Sequence, residues 1–392
     1  MNIAYILHST TPTDGATKSF LIMLSGLMAK GVKPIVILPD KNGVYAKLRE
    51  MGIPVYTKPY RMRTYPRTNT FRAKLMFVPR MLARLISNIV AIRYTTKLLR
   101  SHNIQLVHSN VGMVDIGFCA ARKLGLPHIY HLREYGTEDF GLRYFPTWKS
   151  FYRQLDAPKS YTIYITRHLM QHHHQEGKVS SRVIYNGISP SAQQFPQIVK
   201  NCDYFLFAGR IEPAKKVDVL LKAYMLYANN EGNPLKLYIA GHVSNPAYME
   251  RLRCFVQQNG LQAHVSFLGE RTDINDLMRD ARAVVVLSEY EGFGRCLAEA
   301  MSVGTLTIGY NTTGTKEQFD NGLKFTGEEI GLRFNSVKEL SELLSEVTRT
   351  PIEHYRPYKE RALLTVTQLY TKDNNITQVY KFYTDILQHN IS

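Results

Sequence analysis

The chain has 392 residues, 44% hydrophobic and 21% charged, which excludes a disordered chain and allows two cores rather than one. Its four cysteines, Cys119, Cys202, Cys254 and Cys296, stand far apart without Cys/His spacing. That excludes a disulfide framework and a zinc site and suits a reducing compartment. The net charge of +17 belongs to one half: residues 1–190 hold 27 Lys and Arg against 9 Asp and Glu, and residues 191–392 hold 22 against 23.

The opening MNIAYILHST lacks the charged start and cleavage site of a signal peptide and reads as a first strand. SFLIMLSGLMAKG (19–31) has apolar positions at helical spacing and ends on Gly31, a C-cap signal. PIVILP near residue 34 and QLVHSN near residue 105 are further short, β-branched runs. Strand, helix, strand in this order predicts a parallel sheet with right-handed crossovers. Between the two runs, residues 61–100 contain ten Arg and Lys and no acidic residue. Leu75, Met76, Phe77, Val78, Met81, Leu82, Leu85, Ile86, Ile89 and Val90 recur there at helical spacing. Arg80, Arg84 and Arg93 interrupt 75–94, so a membrane-spanning helix is not expected.

After VIYNGI (183–188) comes a polar, proline-containing stretch, SPSAQQFPQIV, with the character of a linker. The strand pattern then restarts with YFLFAGR (204–210), LKLYIAG (235–241), HVSFLG (264–269), ARAVVVLS (281–288) and TLTIGY (305–310). Two α/β units joined near residue 190 predict a bilobed molecule with its ligand at the carboxyl ends of the strands. ITQVYKFYTDILQ (376–388) reads as a closing helix. The expected division is residues 1–190, residues 191–375, and a tail 376–392, a helix for which packing back on the first domain is one option that the pattern leaves open.

Two segments carry chemistry. In SEYEGFGRCLAEAM (288–301), a strand runs through Gly292 and Gly294 into a helix, with Glu291 and Glu299 eight residues apart. A helix N-terminus favours an anion, and glycines let a ligand approach the backbone. The two carboxylates can accept hydrogen bonds from vicinal sugar hydroxyls, or be ordinary solvated groups around a turn. In FAGRIEPAKK (207–216), Arg210 and Lys215 follow a strand end and suit a diphosphate, though a surface loop fits them as well. No D-x-D occurs, so a metal-bridged diphosphate is not indicated. His172, His173 and His174 cannot all face one ion and are expected on a solvated polar face.

Taken in order, these segments resemble glycosyltransferase family 4, retaining enzymes of the GT-B fold. The likeness runs through FAGRIEPAKKVDVLLKAY (207–224), FLGERTDINDLMRDARAVVVLSEYEGFGRCLAEAMSVG (267–304), GTKEQFDNG (314–322), VIYNGI and the first glycine loop. The resemblance implies an α/β protein of two Rossmann-like domains facing across a cleft. It also implies a nucleotide sugar, UDP- or GDP-linked, as substrate, with no separate cofactor and no metal. Carried over by position, Arg210 and Lys215 bind the donor diphosphate, Glu291 touches the donor sugar, and the backbone around Phe293 and Gly294 holds sugar and phosphate oxygens. Glu299 is implied as the ribose ligand, Gly15 and Ala16 as the loop near the phosphate, and His131 in HLRE as a histidine beside the transferred sugar. Ala16 stands where the family often has a second glycine, and Lys216 where a glycine commonly follows the phosphate lysine.

The resemblance and the basic half together imply a hexosyltransferase acting on a glycan or lipid-linked sugar in bacterial surface polysaccharide synthesis. The expected location is cytoplasmic, peripheral at the inner membrane face. Residues 61–100 read either as a membrane-surface helix or as a core-facing helix with a basic outer face. A nucleotide-sugar epimerase of the same fold and a basic nucleic-acid-binding protein are the competing classes. The second lacks a recognisable binding motif, so no nucleic-acid partner is expected.

Overall fold

The computed structural model describes residues 1–8, 15–66, 75–188 and 203–388. The chain divides into two compact units, Met1–Gly187 with Lys372–Ser392, and Ile188–Thr371. The stretch read as a linker, 189–199, and Cys202 lie outside the described residues.

In the first unit the strands are β1 (Asn2–Ile6), β2 (Lys33–Leu38), β3 (Val55–Thr57), β4 (Thr64–Pro66), β5 (Leu106–Ser109), β6 (His128–Leu132), β7 (Leu142–Tyr144), β8 (Ser160–Tyr164) and β9 (Ser181–Val183). Seven of them form a parallel sheet in the order β3-β2-β1-β5-β6-β8-β9, and β4 pairs antiparallel with β7. Alternate residues face opposite sides. Ile3, Tyr5 and Val36 pack with helix Gly15–Ala29, while Ala4, Ile6 and Ile37 pack with residues of helices Phe77–Ser101 and Ile116–Leu124. Both faces are therefore apolar, which is why these strands read as near-continuous hydrophobic runs.

Helix Lys372–Leu387 completes this unit rather than the one that precedes it in sequence. Its Ile376, Val379, Phe382, Tyr383 and Ile386 join the core around Tyr5 and Phe20. It lies so close to helix Gly15–Ala29 that a β-carbon on Gly26 would stand 2.1 Å from Ile376 Cδ1.

The second unit contains β10 (Tyr204–Ala208), β11 (Lys236–Ala240), β12 (Val265–Gly269), β13 (Ala283–Val286), β14 (Thr307–Tyr310) and β15 (Leu332–Phe334). They form one parallel sheet in the order β12-β11-β10-β13-β14-β15. Counted from its own first strand this is 3-2-1-4-5-6, the dinucleotide-binding order of a Rossmann sheet. Phe205, Phe207 and Val285 face helices Val217–Asn230, Pro246–Gln258 and Val337–Arg349. Leu206, Ala208 and Val284 face Met278 and Ala300, on helices Ile274–Arg279 and Arg295–Ser302.

Among the described residues, no helix is long and apolar enough to cross a membrane. Helix Phe77–Ser101 buries Met81, Asn88, Ala91, Thr95 and Leu99. Its opposite side exposes Val78, Leu82, Ile86, Ile89 and Val90, followed by exposed Arg93, Lys97 and Arg100. The helix is thus core-facing with exposed cations, and its outer face also carries an apolar stripe that runs into them. Residues 67–74 of the basic stretch lie outside the described residues.

Candidate functional site

In the second unit the strand order reverses between β10 and β13, and ligands of open α/β sheets bind beyond the carboxyl ends of such strands. Both motif segments leave the sheet there. The chain from β10 passes through Gly209, whose carbonyl oxygen would lie 1.8 Å from any β-carbon on Gly241. It then forms a short 3-10 turn, Pro213–Lys215. Lys216 follows with φ 54°, the left-handed conformation that favours glycine. This accounts for a glycine being common at that position.

Lys215 Nζ lies 2.7 Å from Glu291 Oε2, so the loops after β10 and β13 meet through an ion pair. Arg210 pairs with Glu212 at 3.1 Å, and Lys216 with Glu289 at 3.0 Å. Burial works to raise the Glu291 carboxyl. The Lys215 charge and hydrogen bond, a hydrogen bond with Ser288 and the Arg210 charge outweigh it and hold the group below the usual glutamate range.

The Glu291 loop is clamped from helix Thr313–Thr326. Glu291 N donates to Thr313 Oγ1 (3.0 Å), Thr313 Oγ1 donates to Glu289 O (3.1 Å), and Gly314 N donates to Glu291 O (3.0 Å). A β-carbon on Gly314 would stand 2.5 Å from that same oxygen, so only glycine permits this approach. Gln318 Nε2 donates to the carbonyls of Phe293 and Gly294. Gly294, at φ 82°, turns the chain into helix Arg295–Ser302, whose N-terminus favours an anion. Glu299 Oε1 accepts from Arg295 Nη2 at 2.8 Å. The Cys296 thiol is pushed up by burial and by the charges of Glu299 and Glu291.

His131 occupies a different setting, on β6 of the first unit and fully buried. Its Nδ1 lies 3.2 Å from His108 Nε2 and 3.3 Å from Arg133 Nη2. His108 Nδ1 is 2.5 Å from the Tyr383 hydroxyl, and the Tyr383 and Tyr5 hydroxyls are 3.3 Å apart. Arg133 also donates from Nε and Nη2 to Asn110 Oδ1 (3.2 and 3.0 Å) and from Nη1 to Asn186 Oδ1 (2.7 Å). Burial, then the Arg133 charge, hold both His108 and His131 well below the ordinary histidine range. Neighbouring Glu134 accepts from Gly112 N and Arg133 N, and burial with the Asp139 charge raises it to about 7.

Gly15 and Ala16 form the first turn of helix Gly15–Ala29. The loop residues 9–14 before them lie outside the described residues. The expectation of a solvated His172–His174 face fails at His173, which is buried among Tyr164, Phe151 and Trp148 and lies 3.2 Å from Glu134 O through Nε2. Among the described residues no cluster of three or more metal-ligating side chains occurs. Sequence reasoning named His131 but missed Asn110, Arg133, Asn186 and Tyr383. Arg133 and Asn186 sat inside HLRE and VIYNGI, the segments already singled out, whereas Tyr383 gave no signal beyond helical periodicity.

Comparison with known proteins gives the site a context. Residues 190–364 match the family model of glycosyl transferases group 1. A D-inositol 3-phosphate glycosyltransferase of Jonesia denitrificans is 35% identical over 117 residues, 29% of this chain and 28% of the relative. An N-acetyl-alpha-D-glucosaminyl L-malate synthase of Bacillus anthracis is 27% identical over 128 residues, 33% of this chain and 32% of the relative. The chain thus matches about a third or less of the length of these curated relatives. Among solved structures, Anabaena HepE in complex with UDP-glucose superimposes with a TM-score of 0.76 at 20% identity, covering 98% of this chain and 100% of that one. The fold is accordingly that of the GT-B glycosyltransferases, built from two Rossmann-like domains.

Proposed function

We propose that this protein is a retaining glycosyltransferase that moves a hexosyl group from a UDP- or GDP-sugar to a glycan or lipid-linked acceptor. The Lys215–Glu291 pair at the point of strand reversal carries the reading. A cation that suits a diphosphate and a carboxylate that suits sugar hydroxyls meet beside a helix N-terminus. The group 1 match and the UDP-glucose complex of HepE support the same donor class.

In the proposed reaction the bond from sugar C1 to the diphosphate oxygen breaks, and its electron pair leaves on the diphosphate. Lys215, Arg210 and the amides at the start of helix Arg295–Ser302 stabilise that charge. The acceptor oxygen bonds to C1 on the same face, and its proton passes to a leaving phosphate oxygen. Glu291 exchanges Lys215 for the sugar hydroxyls, Glu299 takes the ribose, and the backbone at Phe293 and Gly294 holds the sugar and phosphate oxygens. Gly15 and Ala16 approach the phosphate, and His131 lies beside the transferred sugar. No cofactor or metal is required in this scheme.

The apolar stripe of helix Phe77–Ser101, continuing into Arg93, Lys97 and Arg100, supports a lipid-linked acceptor met at an anionic membrane surface. Such an acceptor fits a role in bacterial surface polysaccharide synthesis.

Thermal unfolding with UDP, GDP, ADP and CDP, and with UDP- and GDP-sugars, tests the donor class. A ligand at 100 times its Kd stabilises the folded state by about 2.7 kcal/mol. One nucleotide is expected to raise Tm, and Arg210→Ala to abolish the rise. No response to any of them from folded protein overturns the reading.

A further inference from the structure

We propose that Arg61, Arg80 and Arg84 form a binding site for a phosphate or diphosphate group at the carboxyl ends of the first unit's strands. That this group belongs to the acceptor rests on the transferase reading above; that the cluster binds one rests on the first unit alone.

In the first unit the strand order reverses between β1 and β5, and open α/β sheets take ligands beyond the carboxyl ends at such a point. The segment after β3 crosses that end of the sheet. Lys58 N donates to Leu38 O at the end of β2 (3.0 Å), and the Tyr60 hydroxyl reaches the carbonyls of Ile37 and of Leu7, just past β1. Arg63 N donates to Met113 O beyond β5 (2.8 Å), and Phe145 N to Arg63 O (2.7 Å). Backbone bonds to four strand ends and loops therefore fix where Arg61 stands.

Helix Phe77–Ser101 brings the other two cations to the same place. Arg61 N donates to Asn88 Oδ1 (2.8 Å), and Asn88 Nδ2 donates to Arg61 O (2.9 Å). Arg84, one turn before Asn88 on the same side of the helix, donates from Nη1 to Thr64 O (2.8 Å). Arg80 lies one turn earlier again. The half-buried Arg84 thus reaches inward to β4, away from the outer stripe of Val78, Leu82 and Ile86, while Arg61 and Arg80 are exposed.

Like charges four residues apart on a helix repel. Burial, then the charges of Arg61 and Arg80, push the Arg84 guanidinium down, and no acid offsets them. The acids on neighbouring segments are engaged elsewhere: Asp115 pairs with Arg63 at 3.3 Å, and Asp40 Oδ1 accepts from Asn42 N at 2.8 Å. Three guanidinium groups gathered without a counter-charge suit an anion with several charged oxygens, where one carboxylate would leave two cations uncompensated.

Calorimetry with inorganic pyrophosphate tests the site in full-length Arg210→Ala protein, which silences the proposed donor cation. Pyrophosphate is expected to bind, and Arg80→Gln with Arg84→Gln to weaken it by about tenfold or more. Arg61→Gln alone, at an exposed side chain, is expected to cost about threefold or more and serves if the double variant does not fold. Arg122→Gln with Lys123→Gln removes the same charge next to the amino end of β6 and is expected to stay within about twofold. No binding, no loss in the Arg61 or Arg80/Arg84 variants, or an equal loss in the Arg122/Lys123 variant would overturn the site. Sedimentation with phosphatidylcholine vesicles carrying farnesyl diphosphate, lost in the Arg80/Arg84 variant, assigns the group to a lipid. Pyrophosphate binding without such sedimentation assigns it to a soluble phosphate ester. Pyrophosphate binding in a protein whose melting answers to no nucleotide strikes the transferase reading and leaves the site standing.

Discussion

The two units handle polar groups in opposite ways. The second keeps its chemistry on loops: Lys215, Glu291, Arg210 and Glu212 are charged, partly exposed and paired with one another. The first buries polar groups on its strands and just past their ends, where His108, His131 and Arg133 form a network whose imidazoles are held neutral. Charged pairs on loops can exchange partners when a ligand arrives, at small cost because each half is replaced. A buried neutral network cannot exchange without leaving a donor or acceptor stranded, so its geometry is set at folding.

That contrast is sharpest at Lys215. Lys215→Ala removes the proposed diphosphate cation and strands Glu291, and should lower kcat with a nucleotide sugar by about 100- to 1,000-fold. Steady-state transfer assays check this, and a variant within threefold of the natural protein would break the loop side of the comparison. Gly314→Ala tests the clamp behind the same loop. Its β-carbon would press on Glu291 O at 2.5 Å, displacing the carboxylate at a cost of about 1–3 kcal/mol. Weaker nucleotide binding, by roughly tenfold or more, is expected in calorimetry while the first unit's core is untouched.

Glu134 probes the buried side. Its carboxyl, raised to about 7, binds a proton more tightly folded than unfolded. The stability this proton contributes is complete below the ordinary glutamate value and disappears as the pH rises towards 7. Glu134→Gln, which mimics the protonated group, should therefore melt at the same temperature as the natural protein near pH 4.5 and several degrees higher near pH 8. The buried histidines act in the opposite direction, losing stability as the pH falls, but they are common to both proteins and cancel in the difference. A melting gap that closes as the pH rises contradicts the assignment.

Two smaller effects lie on the surface. Lys216→Gly relieves a left-handed lysine and should add up to about 1 kcal/mol in denaturant unfolding, since its exposed pair with Glu289 contributes little. Leu82→Gln with Ile86→Gln should change stability by less than about 0.5 kcal/mol per site. The same pair should reduce sedimentation with phosphatidylglycerol-containing vesicles at low salt. Undiminished sedimentation would remove the stripe from the proposed membrane contact.

The fold was legible where strands are buried on both faces. YFLFA, KLYIA and AVVV announce themselves as apolar runs, and their alternation with helices implies the parallel sheet. It was less legible in β6, β8 and β9, where HIYHL, SYTIY and SRV carry polar residues that the interior satisfies. The loop chemistry could be read because Lys215 and Glu291 belong to motifs whose spacing survives alone in sequence. The buried network could not, because Tyr383 and His108 are 275 residues apart and meet only through the fold. His173 misled for the same reason, as three adjacent histidines give no hint that the middle one points inward.

The chain leaves the first unit at Gly187 and re-enters it at Lys372, so the second unit is an interruption of the first. During synthesis this reverses the usual order of completion. The second unit is contiguous, and the last strand among its described residues is made once Phe334 has been added. The first, begun earlier, waits for helix Lys372–Leu387, and until then the surface meant for Val379, Phe382 and Tyr383 has no cover. The part of the molecule translated first is thus the part finished last, and the His131 network comes into being only when Tyr383 arrives.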